Sequence, residues 1–342
     1  MTRSTTLSRP LLLAALTAGA LAGAHAVVPG QPSAAPGDPA AVPLLVTPAW
    51  LAAHLGDPGL VLLHVGEADA YRAKHIPGAR LVELSDIALG NDHESLPHLE
   101  LPPADDLRHR LEALGISSAS RVVVYFGQDW VSPATRVVLT LDAAGLGGHA
   151  GLLDGGMPAW QRAGREVTAA VPPPRTGALA ALAIRPIIVD ATTVLASLGK
   201  PGFAVVDARN AEFYAGSKTG GGPQHPHRTG HIAGALSIPF DSLFDDRDTL
   251  RPLDDLAARF ARAGVKPGDT VIGYCHIGQQ ATAMLFAARR LGHPVRLYDG
   301  SFEDWSVFHP GYPVEGPAAD KAPAKAPPRA PDKAPTRPVT RP

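Results

Sequence analysis

One cysteine in 342 residues is a scarcity that limits the chain's options at once. No disulfide can form within it, although exported proteins ordinarily use cysteines in pairs. The lone thiol is therefore either an inert core residue or a reactive one. Charge of one sign is also missing: Lys+Arg 31 stand against Asp+Glu 32, and no basic stripe interleaved with aromatics occurs ahead of the C-terminal tail. Nucleic acid is not an expected partner. The apolar run Leu11 to Ala24 falls short of the roughly 20 residues a membrane-spanning helix needs. It follows Arg3 and Arg9 and ends in Ala24-His-Ala26, a small-x-small cleavage signature. Residues 1–26 read as a secretory signal peptide cut after Ala26. The protein is then exported, periplasmic or secreted, with no stable membrane insertion after cleavage. A lipoprotein is excluded because no cysteine lies near that site.

What is present suffices for two domains: 45% of the residues are hydrophobic, enough for a core in each. Residues 27–43 are rich in Ala, Pro and Gly and read as a flexible linker. Residues 317–342 alternate Pro and Ala with Lys and Arg and read as a disordered tail. Between these ends the chain repeats itself. Leu60-Val-Leu-Leu-His-Val65, Tyr71 and His75-Ile-Pro-Gly-Ala79 are matched by Phe203-Ala-Val-Val-Asp-Ala208, Tyr214 and His231-Ile-Ala-Gly-Ala235. Arg121-Val-Val-Val-Tyr-Phe126 is matched by Thr270-Val-Ile-Gly-Tyr-Cys275. Asp154-Gly155 with Trp160 is matched by Asp299-Gly300 with Trp305. Four matches in one order indicate an internal duplication, with units at 44–168 and 184–316 joined by a Pro/Ala/Arg-rich linker at 169–183. In the second unit, apolar strands at 203–208, 235–240, 270–275 and 295–300 alternate with helical patterns at 255–263 and 281–291. Apolar strands alternating with helices predict an α/β fold, a parallel sheet covered on both faces, twice over.

Cys275 closes the strand Thr270 to Tyr274 and opens the loop His276, Ile277, Gly278, Gln279 and Gln280, ahead of a helix. The carboxyl edge of a parallel sheet is where such folds bind ligands. A loop entering a helix N-terminus presents backbone N–H groups to an anion and can lower a cysteine pKa from about 8.5 by several units. Cys275 is thus a candidate catalytic nucleophile rather than a core thiol.

Together, Asp207-Ala-Arg209, Gly230-His-Ile-Ala-Gly-Ala235, Tyr274-Cys275 and Tyr298-Asp-Gly-Ser301 followed by Trp305 resemble tandem-domain rhodanese-like sulfurtransferases over roughly residues 44 to 316. The resemblance implies two domains, each a central parallel sheet flanked by helices, with the cysteine in the C-terminal one. It implies thiosulfate or 3-mercaptopyruvate as donor, cyanide or a thiol as acceptor, and no cofactor. Aligning the repeats puts His64 opposite Asp207, Gly66 opposite Arg209 and Phe126 opposite Cys275, so the first domain lacks the chemical residues and is expected to be a cleft-forming partner. Related phosphatases have Cys-x5-Arg with a bidentate phosphate grip; here Gln280 and Ala281 occupy that stretch, which argues against phosphate chemistry. Two departures bear on the donor. Phe213 stands where family members acting on thiosulfate or mercaptopyruvate often carry a second arginine, and His276 follows the cysteine where thiosulfate enzymes often have arginine.

Lys218, His225, His227 and Arg228, in an insertion ahead of His231, are candidates to supply the missing positive charge; the alternative is a plain surface loop. His225, His227 and His231 match no standard zinc spacing, so no metal is expected. Asp207 and Arg209 are expected to pair in the interior and brace the active loop. Trp160 and Trp305 should pack behind the Asp-Gly turns, and Trp130 is a candidate lining residue for the substrate site. The expected reaction is double displacement through a Cys275 persulfide, with a small-molecule donor and acceptor or a protein thiol as acceptor. A non-turnover sulfur carrier and a thiol redox sensor are the rival readings.

Overall fold

The computed structural model describes Met1 and residues 41–89, 97–128 and 130–317. The expected signal peptide at 1–26, nearly all of the linker at 27–43 and the tail beyond Pro317 lie outside these residues. In the first repeat the strands are β1 (Leu45–Val46), β2 (Leu60–Val65), β3 (Arg80–Val82), β4 (Arg121–Phe126) and β5 (Ala150–Leu153), and the helices are α1 (Pro48–His54), α2 (Ala68–Ala73), α3 (Ala104–Ala113), α4 (Ser132–Ala143) and α5 (Gly156–Arg162). In the second they are β6 (Ile188–Val189), β7 (Phe203–Asp207), β8 (His231–Ile232), β9 (Leu236–Ser237), β10 (Thr270–Tyr274), β11 (Val295–Tyr298) and β12 (Val314–Glu315), with α6 (Ala191–Ser197), α7 (Ala211–Tyr214), α8 (Leu253–Ala263), α9 (Gln280–Arg290) and α10 (Ser301–Glu303).

Two five-stranded sheets result, ordered β1-β5-β4-β2-β3 and β6-β11-β10-β7-β9, and every pairing in both is parallel. The order is the same in each, as duplication requires. Central strands such as Arg121-Val-Val-Val-Tyr-Phe126 are buried at all but their first residue, because helices cover both faces of a parallel sheet. Helix α8 shows how local sequence sets an element's ends: Asp254 and Asp255 lie in its first turn, Arg262 in its last, Leu256 and Phe260 face inward, and Gly264 ends it in a left-handed conformation at φ +103°. The strand expected at 235–240 is only the two-residue β9, since Pro239 and the 3-10 turn at Phe240–Leu243 end it early.

The repeats share their interior. Helix α4 is buried along nearly its whole length and packs on α9, and one apolar cluster runs from Val61 and Leu139 in the first repeat to Met284 and Leu297 in the second. The segment 169–183 forms no helix or strand and is tied to the first domain. Gly177 N–H donates to the Glu112 carbonyl at 2.7 Å, Ser118 N–H to the Ala178 carbonyl at 3.1 Å, and Arg80 to the Pro173 carbonyl at 2.9 Å.

Candidate active site

Strand β10 delivers Cys275 fully buried, at 0% exposure, to the carboxyl edge of the second sheet. Residues 301–303 clasp the start of the loop that follows. The Cys275 N–H donates to Ser301 Oγ at 3.1 Å, and that hydroxyl donates to the Tyr298 carbonyl at 2.9 Å. The Cys275 and His276 carbonyls accept from Phe302 and Glu303 N–H, each at 3.0 Å. Ser301 makes these contacts from a left-handed conformation, φ +54°, rare for a non-glycine residue and here held by its two hydrogen bonds. No acceptor among the described residues takes the backbone N–H groups of His276 to Ala281, and no side chain caps α9. A run of unsatisfied amides at the positive end of an 11-residue helix suits a negative charge placed beside it.

The first domain holds this loop in place. Arg136, from α4 and 0% exposed, donates to the Gly278 carbonyl at 2.9 Å, to Asp299 Oδ1 at 2.6 Å and to the Leu99 carbonyl at 2.6 Å. Gln279 Nε2 reaches Ser132 Oγ at 3.1 Å, and the Thr135 and Thr282 hydroxyls meet at 2.8 Å. Gly278 is required here: its φ is +76°, and a Cβ would lie 2.5 Å from the Asp299 carbonyl and 3.0 Å from an Arg136 nitrogen. Gln280 has turned into α9, with its Oε1 buried and without a hydrogen-bond partner among the described residues.

Asp207 and Arg209 form the expected buried pair. Arg209 Nη2 approaches Asp207 Oδ2 at 2.5 Å and donates to the Gly230 carbonyl at 2.8 Å, while its guanidinium lies 4.0 Å over the Phe302 ring. They brace the motifs around the loop, and Arg209's hydrogen bonds go to protein acceptors.

Of the four candidate residues in the insertion, two do not serve the cleft. Lys218 is exposed and pairs with Glu212 at 2.7 Å. Arg228 donates to the carbonyls of Pro310, Tyr312 and Trp305, so it ties the insertion to the end of the domain. His225 and His227 do come in, both buried. His227 Nδ1 lies 3.4 Å from His276 Nδ1, and the His276 ring meets Phe213 edge-on at 4.5 Å. Burial, with the Arg209 charge adding to it, pulls the His276 pKa down to about 4. Burial and the neighbouring His276 pull His227 down to about 3. Both rings are neutral at physiological pH and restore no positive charge. His231 stands apart, stacked on Tyr214 with Nδ1 2.8 Å from that residue's carbonyl. Trp130 is 43% exposed and packs edge-on against Phe240 of the second repeat at 5.5 Å.

Sequence patterns alone miss Arg136, Ser132 and Thr135, because they belong to the repeat without the thiol. They miss Ser301's role too, although Ser301 stands in the motif Tyr298 to Ser301. One signal for it was available: Ser301 replaces the glycine of the matching turn, Gly156. A cavity of about 620 Å³ lies next to the site and shares Asp299 with it; Glu100, Asp190 and Asp304 line it and Cys275 does not.

A duplicated α/β scaffold with one buried thiol beside unsatisfied amides defines a two-domain enzyme with its lone thiol in the second repeat. Residues 47–163 and 190–307 each match the rhodanese-like domain, and the chain belongs to that family, as a tandem-domain rhodanese-type sulfurtransferase. It is 31% identical to the thiosulfate sulfurtransferase of Azotobacter vinelandii over 281 residues, covering 81% of this chain and 99% of that one. It is 29% identical to the mitochondrial thiosulfate/3-mercaptopyruvate sulfurtransferase 1 of Arabidopsis thaliana, covering 79% and 78%. The crystal structure of YnjE superposes with a TM-score of 0.70 at 25% identity, covering 81% of this chain and 70% of that one.

Proposed function

We propose that the protein moves a sulfane sulfur from a small donor to a small nucleophile through a persulfide on Cys275. The supporting observation is the lone thiol at the head of a loop whose amides, from His276 to Ala281, have no acceptor among the described residues. With thiosulfate, the Cys275 thiolate attacks the outer sulfur, the S–S bond breaks, and the electron pair leaves with sulfite. The terminal sulfur of the resulting persulfide carries the negative charge that the loop amides and helix end favour. Cyanide then attacks that sulfur, thiocyanate departs, and the Cys275 thiolate returns. With 3-mercaptopyruvate the bond broken is C–S, and the carbon takes a proton as pyruvate leaves. A protein thiol is a further acceptor, ending as a persulfide itself. The names of the Azotobacter and Arabidopsis relatives support these two donors. Neutral His276 and His227 beside Phe213 favour the donor with less concentrated charge.

Intact-mass measurement after incubation with thiosulfate tests this reading. The expected gain is one sulfur atom, removed by cyanide and absent in Cys275→Ser, together with multiple turnovers in the steady state. A single stoichiometric transfer would mark a carrier, and turnover surviving in Cys275→Ser would sink the role of the thiol. We also read residues 1–26 as a cleaved leader that exports the protein. N-terminal sequencing of the protein from the periplasmic or culture fraction should begin at Val27; a retained Met1 would overturn that.

A further inference from the structure

Close to the Cys275 loop, three elements far apart in sequence bring donor atoms to one point. Glu303, in α10 and 2% exposed, directs one carboxylate oxygen, Oε1, at two imidazoles: His98 Nδ1 at 2.5 Å and His225 Nδ1 at 3.0 Å. Its other oxygen accepts the His98 backbone N–H at 2.7 Å, which fixes the carboxylate plane. His98 comes from the first domain, His225 from the insertion, and Glu303 from the segment whose N–H holds the His276 carbonyl. The three ligand atoms all lie within 4.8 Å of one another.

We propose that His98, His225 and Glu303 form a binding site for a divalent transition-metal ion that joins the first domain to the insertion. Two imidazole nitrogens and one carboxylate oxygen suit Zn²⁺, Co²⁺ or Ni²⁺, whereas Ca²⁺ and Mg²⁺ prefer oxygen donors throughout. With metal–ligand bonds of about 2.0–2.2 Å, neighbouring ligands in a tetrahedral site stand roughly 3.4 Å apart. The His225–Glu303 separation of 3.0 Å is close to that, and the His98–Glu303 separation of 2.5 Å must open by less than about 1 Å. Each imidazole would present the Nδ1 lone pair, with its proton on Nε2. Three protein ligands leave the fourth position to water or another small ligand. A second buried imidazole lies alongside. His227, 5% exposed, has no partner for its Nε2 among the described residues. The competing description is a hydrogen-bonded cluster in which both imidazoles donate N–H to Glu303, and it needs no metal.

Cobalt separates the two. Full-length protein carrying Cys275→Ser, which removes the only thiol ligand, is stripped with chelator and titrated with Co²⁺. The proposal expects visible d–d bands of a low-coordinate site that saturate at one equivalent, disappear on addition of Zn²⁺, and accompany a rise in the thermal midpoint. His98→Ala and His225→Ala should each weaken binding by at least about tenfold. His98 is partly exposed, so its variant should fold even if Glu303→Gln does not. Absence of a saturable band, or affinity unchanged from the parent protein in both histidine variants, would overturn the site. The readout is independent of sulfur transfer, so either idea can fail alone.

Discussion

The two repeats of this chain keep the same hydrogen bonds and differ at the chemistry. Tyr71 donates to the Ala79 carbonyl and Tyr214 to the Ala235 carbonyl, both at 2.8 Å. His75 stacks on Tyr71 as His231 does on Tyr214. The Tyr125 hydroxyl accepts from Ile76 N–H and the Tyr274 hydroxyl from Ile232 N–H, both at 3.1 Å. In the sheet register His64 faces Tyr125 as Asp207 faces Tyr274. Even the contacts between repeats are reciprocal: Asp154 accepts from Leu250 N–H, and Asp299 accepts from Leu101 N–H. Where the second repeat has Cys275 anchored by Ser301, the first has the Phe126 ring packed against Gly156, where a Cβ would fall 2.7 Å from that ring. The comparison teaches that scaffold and reactivity are separable here. The first repeat carries no thiol and holds the second repeat's loop and helix through Arg136, Thr135 and Ser132.

The strongest test of that separation is an attempt to move the thiol. Adding Phe126→Cys to Cys275→Ser should leave sulfur transfer at least about 10³-fold below wild type, because Gly156 cannot anchor the new loop; recovered turnover would show the repeats to be equivalent. Next comes the grip on Gly278. Arg136→Met strands Asp299 in the interior, so a loss of about 3–5 kcal/mol in urea unfolding is expected, with kcat reduced beyond what the unfolded fraction explains. Unchanged kcat in the folded protein would reduce the first domain to a passive neighbour.

A third test uses pH. His64, pulled down to about 4 by burial and then by His75, lies in the first repeat, while His276 and His227 lie in the second. All three stay neutral when folded and take up a proton near pH 6.5 when unfolded. Stability is therefore full above about pH 6.5 and falls as pH drops toward 4, by about 1.4 kcal/mol per pH unit for each group. Urea midpoints from pH 7 to pH 5 should show this slope, and His64→Gln should flatten it by its share. The smallest effect is on the donor. His276→Arg returns a cation to the loop and should lower KM for thiosulfate about tenfold with kcat little changed; no change in KM would mean that charge at this position does not select the donor.

The duplication, both parallel sheets and Cys275's place between strand and helix could be read from residue patterns, because apolar strands and glycine-bearing motifs are local signals. The Asp207–Arg209 pair was legible for the same reason: its members are two residues apart. The roles assigned to Lys218 and Arg228 were not, because a cation's sequence position does not reveal which acceptor it meets in space. Arg136 meeting Gly278, and His98 meeting Glu303, bridge the repeats over more than a hundred residues, and no periodicity reports such contacts.

Phe126 and Gly156 also constrain one another. Placing a thiol at 126 would leave a void where the ring now packs, and placing a serine at 156 while the ring remains would drive a Cβ into it. Either substitution alone is penalised and only the two together are coherent, so packing locks the two positions to one another and neither can change singly without cost.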